Sequence, residues 1–267
     1  MLQIKTPSEQ LLYSTVRLCI DDNIIGTAFF YVTRNKKTLL VTNRHVITGC
    51  TKIDSSITTA NPEKQNTIFH TRNNGQISIN FPNYTWYLHP FYDLAACSID
   101  NIKQDLSPEL SNSIFYKALD HGHVPNQESL EKLSALEMIV TVGYPQGICD
   151  EQNYLPILRT GFTANHPAID YNNNKIGILD LNNFPGQSGS PVCILNEGSY
   201  YSKEGSLMVG SRFFLLGIIQ EMSIRYNPIR IRKNDILESN EFLFSQENTG
   251  LCYYIKSSEL EYFEQFF

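Results

Sequence analysis

Apolar runs five to eight residues long, rich in Val, Ile, Leu, Phe and Tyr, recur along the chain with polar turns between them, and they limit what it can fold into. The first set covers 14–20, 26–33, 38–42, 77–81 and 94–99; the second covers 138–143, 157–163, 176–180, 191–195, 213–219 and 250–255. Runs this short predict strands, and many short strands separated by turn signals predict a barrel or sandwich rather than βαβ units. The segment 101–136 between the sets is polar and mixed, with a helix expected over 127–136. It reads as a connection between two halves. At the other end, Ser257-Ser258-Glu259 ahead of Leu260, Tyr262 and Phe263 predicts a terminal helix with early acids. Asn172-Asn173-Asn174-Lys175 reads as a hairpin tip, since asparagine tolerates positive φ.

With 267 residues the chain has enough length for one large all-β domain. Hydrophobic residues make up 42% and charged residues 18%, which excludes a disordered chain, and no apolar run reaches the length of a membrane span. A net charge of −6 offers no basic stripe for a phosphate backbone. Neither nucleic acid nor membrane is expected as a partner. Arg230, Arg232 and Lys233 cluster, and read as a solvated surface turn. Met1 to Ser8 has no basic segment followed by an apolar one, so an unsecreted, cytoplasmic protein is expected. The six cysteines form no C-x-x-C pair and no metal or other cofactor is expected; Cys19, Cys97, Cys193 and Cys252 sit in apolar stretches as small buried hydrophobes.

Three short contexts carry chemistry. Gly186-Gln187-Ser188-Gly189-Ser190-Pro191 sets a serine between glycines ahead of an apolar strand. Gly186 permits a bend in which its own N–H and that of Ser188 point into one space, as an oxyanion hole requires. Thr38 to Ile47 runs from a buried-looking strand into a polar turn with His45 at the strand end, where an imidazole can act as general base and then acid. In His89-Pro90-Phe91-Tyr92-Asp93-Leu94, Asp93 stands directly before an apolar strand, where an imidazole N–H would satisfy it. Each has an ordinary reading when taken alone: a Gly-Ser turn, a structural histidine, a strand-start carboxylate. Together they occur in the order His, Asp, Ser, which is that of the chymotrypsin β-barrel triad. His70, His89, His121, His123 and His166 lack such a context and read as surface or satisfied histidines.

The chain resembles the trypsin-like, chymotrypsin-fold serine peptidases, closest to standalone bacterial or HtrA-like members. Thr42-Asn43-Arg44-His45-Val46 resembles the family's Thr-Ala-x-His-Val, Asp93-Leu94-Ala95 its Asp-Leu-Ala, and the Ser188 segment its Gly-Asn/Asp-Ser-Gly-Gly-Pro. Gly26-Thr27-Ala28-Phe29 and Gly143-Tyr144-Pro145 add to the likeness, which spans about residues 10–260. It implies an all-β fold of two six-stranded antiparallel barrels with a C-terminal helix. These form a single domain with barrels over about 10–105 and 137–267 and a connection over about 106–136. It also implies an endopeptidase acting on a protein or peptide, with His45, Asp93 and Ser188 catalytic, Gly186 and Ser188 giving the oxyanion N–H groups, and no cofactor. The S1 pocket would lie near Asn182 and along Ile219, Gln220 and Glu221, with Asp180 or Glu221 available as a shifted acid. Gln187 stands where zymogen-activated members carry an aspartate for a freed N-terminus, and glutamine cannot make that ion pair. Activation by clipping is therefore not expected, nor is a PDZ extension. Restraint would come from narrow specificity or a regulatory protein partner. A protease-fold scaffold with a silent cleft is the alternative, and an esterase a weaker one. The polar insertion 196–212 reads as a long hairpin or a lid over the site.

Overall fold

The structure, a computed structural model, describes residues 3–22, 24–73, 75–229 and 243–267. The basic group Arg230, Arg232 and Lys233 lies outside the described residues. The first half contains β1 (Thr15–Ile20), β2 (Ile24–Val32), β3 (Thr38–Thr42), β4 (Thr59–Ala60), β5 (Gln65–Thr71), β6 (Gln76–Asn80), β7 (Trp86–Leu88) and β8 (Ala95–Ser98). These pair in the order β4-β7-β8-β3-β2-β1-β5-β6, with β9 (Ile114–Phe115) added to β5 and β10 (Leu119–Asp120) to β2. The second half contains β11 (Met138–Gly143), β12 (Ile157–Thr163), β13 (Ile176–Asp180) and β14 (Pro191–Asn196). After a small hairpin of β15 (Ser199–Tyr201) and β16 (Leu207–Val209) come the long strands β17 (Arg212–Ile229) and β18 (Leu243–Lys256). Strands β11, β12, β13, β18, β17 and β14 close a barrel.

The all-β architecture is consistent with a trypsin-like double barrel, but the two halves differ in closure. The second is the six-stranded barrel expected; the first is a ten-stranded sheet whose path ends on β4 and β6 without joining them. Its β4 is only two residues long, so little ladder is available at that edge. The expected helix over 127–136 is cut back to Gln127–Glu131, and the connection instead forms helices Ile99–Gln104 and Pro108–Ser113 with β9 and β10. The terminal helix forms over Ser257–Phe266 as a 3₁₀ helix. The insertion forms a hairpin of β15 and β16.

Period-two alternation in the central strands decides how the halves join. On β2 and β3, Phe30 and Leu40 face a core with Leu18, Phe69 and Trp86 inside the first sheet. Their neighbours Phe29, Tyr31, Leu39 and Val41 face the other way. There they meet Leu215, Ile218 and Ile255 of the barrel and Leu260 and Phe263 of the terminal 3₁₀ helix. A third core, with Ile139, Leu179, Val192, Ile219 and Tyr254, fills the barrel interior. The middle core is thus a seam shared by both halves. Cys97, Cys193 and Cys252 are buried, and burial pushes their thiols up; Cys19 is half-buried.

Candidate active site

His45 sits in the first turn of a five-residue helix, Arg44–Thr48, that starts as β3 ends. Gly49 closes this helix in the left-handed conformation, its N–H donating to the His45 carbonyl. Opposite lies the loop ahead of β8 that carries Asp93, which is 6% exposed. Three hydrogen bonds fix the pair. The backbone N–H of His45 donates to Asp93 Oδ1 at 2.8 Å, the ring Nδ1 lies 2.6 Å from Asp93 Oδ2, and Asn43 Nδ2 donates to the Asp93 carbonyl at 2.7 Å. A carboxylate only accepts, so Nδ1 carries a proton, and in the neutral imidazole Nε2 is the acceptor, with no partner among the described residues. Asn43, which replaces the alanine of the resembling motif, therefore holds the Asp93 loop.

The loop has a second anchor in His89, a histidine read from its sequence context as a surface or satisfied one. His89 is 4% exposed, and its Nδ1 accepts the N–H groups of Phe91 and Tyr92 at 3.2 and 3.0 Å. Its Nε2 faces Glu259 Oε2 at 3.5 Å on the terminal 3₁₀ helix. Burial pushes this imidazole down to about 4, and burial raises the Glu259 carboxyl. Arg44 reaches over the same region, donating to the carbonyls of His89 and Asp54.

Ser188 comes from the turn leading into β14, across the seam from His45. Gly186 and Gly189 have φ of +91° and +87°, so the turn runs through backbone that side chains resist. A Cβ on Gly189 would also sit on the Thr27 carbonyl oxygen. Thr27, on β2, ties the turn to the first half. Its N–H donates to the Ser188 carbonyl at 2.9 Å, its hydroxyl donates to the Gly186 carbonyl at 2.8 Å, and that hydroxyl accepts the Tyr144 N–H at 3.2 Å. Within the turn, the N–H groups of Gln187, Gly189 and Ser190 donate to Phe184, Ile219 and Gln187 carbonyls. Those of Gly186 and Ser188 have no acceptor among the described residues. Two unengaged donors two residues apart, beside a serine, are what an oxyanion site needs.

His45, Asp93 and Ser188 line one cleft of about 190 Å³ with Asn183, Phe184, Pro185, Gln220, Glu221 and Met222. The Ser188 hydroxyl donates to the Gln220 carbonyl at 3.4 Å, and no hydrogen bond joins it to His45 among the described residues. Gln220 is an extra residue in β17, where the register against β18 slips between Ile219 and Glu221. Bulges of this kind redirect backbone groups beside sites.

The four residues expected around S1 divide. Gln220 and Glu221 line the cleft. Ile219 is fully buried in the barrel core and takes part only through its backbone, its carbonyl accepting the Gly189 N–H and its N–H donating to the Ser190 carbonyl. Asn182 is exposed and outside the lining; its neighbour Asn183, 2% exposed, is in it. The cause is alternation, with Leu181 and Asn183 turned inward and Asn182 outward. Asp180 is also exposed and outside the cleft lining. Among the described residues no group of three or more His, Cys, Asp or Glu is placed to hold a metal.

No protein-family model matches the sequence, and no curated protein matches it. Among solved structures, a mutant, inactive form of Rv3671c from M. tuberculosis H37Rv is similar over 98% of this chain and 93% of that one, with 11% identity and a TM-score of 0.45.

Proposed function

We propose that the protein is a serine endopeptidase of the trypsin-like kind, cutting peptide bonds in protein or peptide substrates. Ser188 attacks the scissile carbonyl, His45 Nε2 takes its proton and returns it to the leaving amine, and Asp93 orients and stabilises His45. The N–H groups of Gly186 and Ser188 receive the oxyanion, each contributing about 3 kcal/mol in comparable sites. The observation that carries this reading is the doubly bonded His45–Asp93 pair facing Ser188 across a cleft beside two unengaged N–H groups. The long contact of Ser188 with Gln220 fits a resting hydroxyl, since catalytic hydrogen bonds often tighten only with substrate bound.

That same contact favours a second reading, a protein-binding module that keeps the three residues but not the reaction. A peptidyl diphenyl phosphonate separates the two. Covalent labelling of the parent and not of Ser188→Ala or His45→Ala is expected of the peptidase; an unlabelled parent, folded by circular dichroism, supports the binding module.

A further inference from the structure

Strand β12 alternates strictly. Leu158, Thr160 and Phe162 face outward, while Gly161 and Thr163 are buried inside the barrel. Arg159 falls on the inward-facing side of this pattern, paired across from Thr141 of β11, which is fully buried. A guanidinium pointing into a barrel has to be compensated. No carboxylate pairs with it among the described residues. Its partners all belong to the segment that carries Ser188. Nη1 donates to Gln187 Oε1 at 2.6 Å and to the Asn182 carbonyl, and the guanidinium carbon lies 5.1 Å from the centre of the Phe184 ring.

Gln187 is the residue between the two unengaged N–H groups, and it is completely buried. Its Oε1 collects a second donor, the Phe184 N–H at 3.1 Å, and its own N–H donates to the Phe184 carbonyl. One amide oxygen thus joins the barrel wall to the turn. Hydrogen bonds from a charged donor are about twice as strong as neutral ones, so the Arg159 contact is the strongest in this set. Gln187 Nε2 has no hydrogen-bond partner among the described residues, which leaves the side chain dependent on what its oxygen accepts.

We propose that Arg159 is a positioning residue that holds turn 184–188 in the conformation that leaves the Gly186 and Ser188 N–H groups without an acceptor among the described residues. A cation contributed by the chain's own β12 supports the turn from below, without touching substrate. Arg159 does not line the cleft. The catalytic consequence rests on the peptidase reading above; the effect on the turn does not.

The test compares the parent with Arg159→Ala and Arg159→Lys by hydrogen–deuterium exchange of peptides spanning 184–190, and by kcat and KM for p-nitrophenyl acetate. In Arg159→Ala, exchange in the turn is expected to rise about tenfold while β11 and β14 stay protected. The ester kcat should fall about 100-fold, as when one oxyanion donor is lost, with KM within about threefold of the parent. Arg159→Lys keeps the charge but not the planar fork, so intermediate values of both are expected, and it carries the test if Arg159→Ala does not fold. Parent-like exchange in the turn overturns the proposal, as does a raised KM at unchanged kcat, which would mark a substrate-binding role. A parent that neither hydrolyses the ester nor takes a phosphonate refutes the peptidase reading alone, and the exchange result still decides what Arg159 does.

Discussion

Thr27 grips both sides of Gln187: its N–H donates to the Ser188 carbonyl at 2.9 Å and its hydroxyl to the Gly186 carbonyl at 2.8 Å. The nucleophile turn of the second half is therefore anchored on a strand of the first. Thr27→Val keeps the shape and removes the hydroxyl, leaving the Tyr144 N–H and the Gly186 carbonyl short of a partner in a buried place. A loss of about 1–3 kcal/mol in urea unfolding is expected, with slower phosphonate labelling of Ser188. Thr27→Ser should restore most of both. Identical labelling rates in parent and Thr27→Val would remove the turn-anchoring role.

Asp93→Asn replaces an acceptor-only carboxylate with a group that can present N–H to Nδ1. The imidazole then favours the tautomer with its proton on Nε2, the atom that must accept from Ser188. By analogy with other triads, kcat for a peptide substrate should drop about 10⁴-fold with KM little changed. A drop of only a few-fold, measured by progress curves on a fluorogenic peptide, would mean that Asp93 only shapes the loop.

His89 couples the Asp93 loop to pH. Its folded value, about 4, lies below the ordinary 6.5, so the unfolded chain binds a proton that the folded chain refuses. Stability from this group is complete above about pH 6.5 and is lost as pH falls toward 4. Glu259, raised by burial, works in the opposite sense, so the comparison belongs in a Glu259→Gln background. There, urea midpoints should decline between pH 7 and pH 4.5, and adding His89→Gln should flatten the decline. Equal slopes with and without His89 would exclude it as the source.

Two glycines with nearly the same φ predict different penalties. Gly189 at +87° has the Thr27 carbonyl where a Cβ would go, whereas Gly205 at +84° has nothing within 4 Å among the described residues. Gly205→Ala should cost about 1 kcal/mol, from backbone conformation alone. Gly189→Ala adds a collision with the backbone of β2 and should cost about 3 kcal/mol or more, read by thermal melts.

Much of this arrangement could be read from the residues because strand and turn chemistry are local. The expected runs 38–42, 138–143, 157–163 and 176–180 coincide with β3, β11, β12 and β13, each bounded by polar turns. Asn172 and Asn173 do adopt positive φ at their hairpin tip. His45, Asp93 and Ser188 were placed by the same local signals, and the fold brings them to one cleft. Strand β5 is not legible in the sequence because polar residues point inward. Gln65 and Thr67 are buried, Gln65 accepting from the Trp86 indole and Thr67 donating to the Arg17 carbonyl. Thr27 and Arg159 act through partners 159 and 28 residues away in sequence, and no local pattern records such contacts. The one sequence trace of Arg159 is an arginine on the inward side of an alternating strand.

The seam core has a mechanical meaning. Phe29, Tyr31, Leu39 and Val41 belong to strands of the first sheet, yet their side chains are packed among Leu215, Ile218, Ile255 and Phe263. Separating the halves would bare this surface and also tear Thr27 from the Ser188 turn. The two halves should therefore melt in a single calorimetric transition. On the peptidase reading, admission of substrate then falls to the loops at the rim rather than to a parting of the halves.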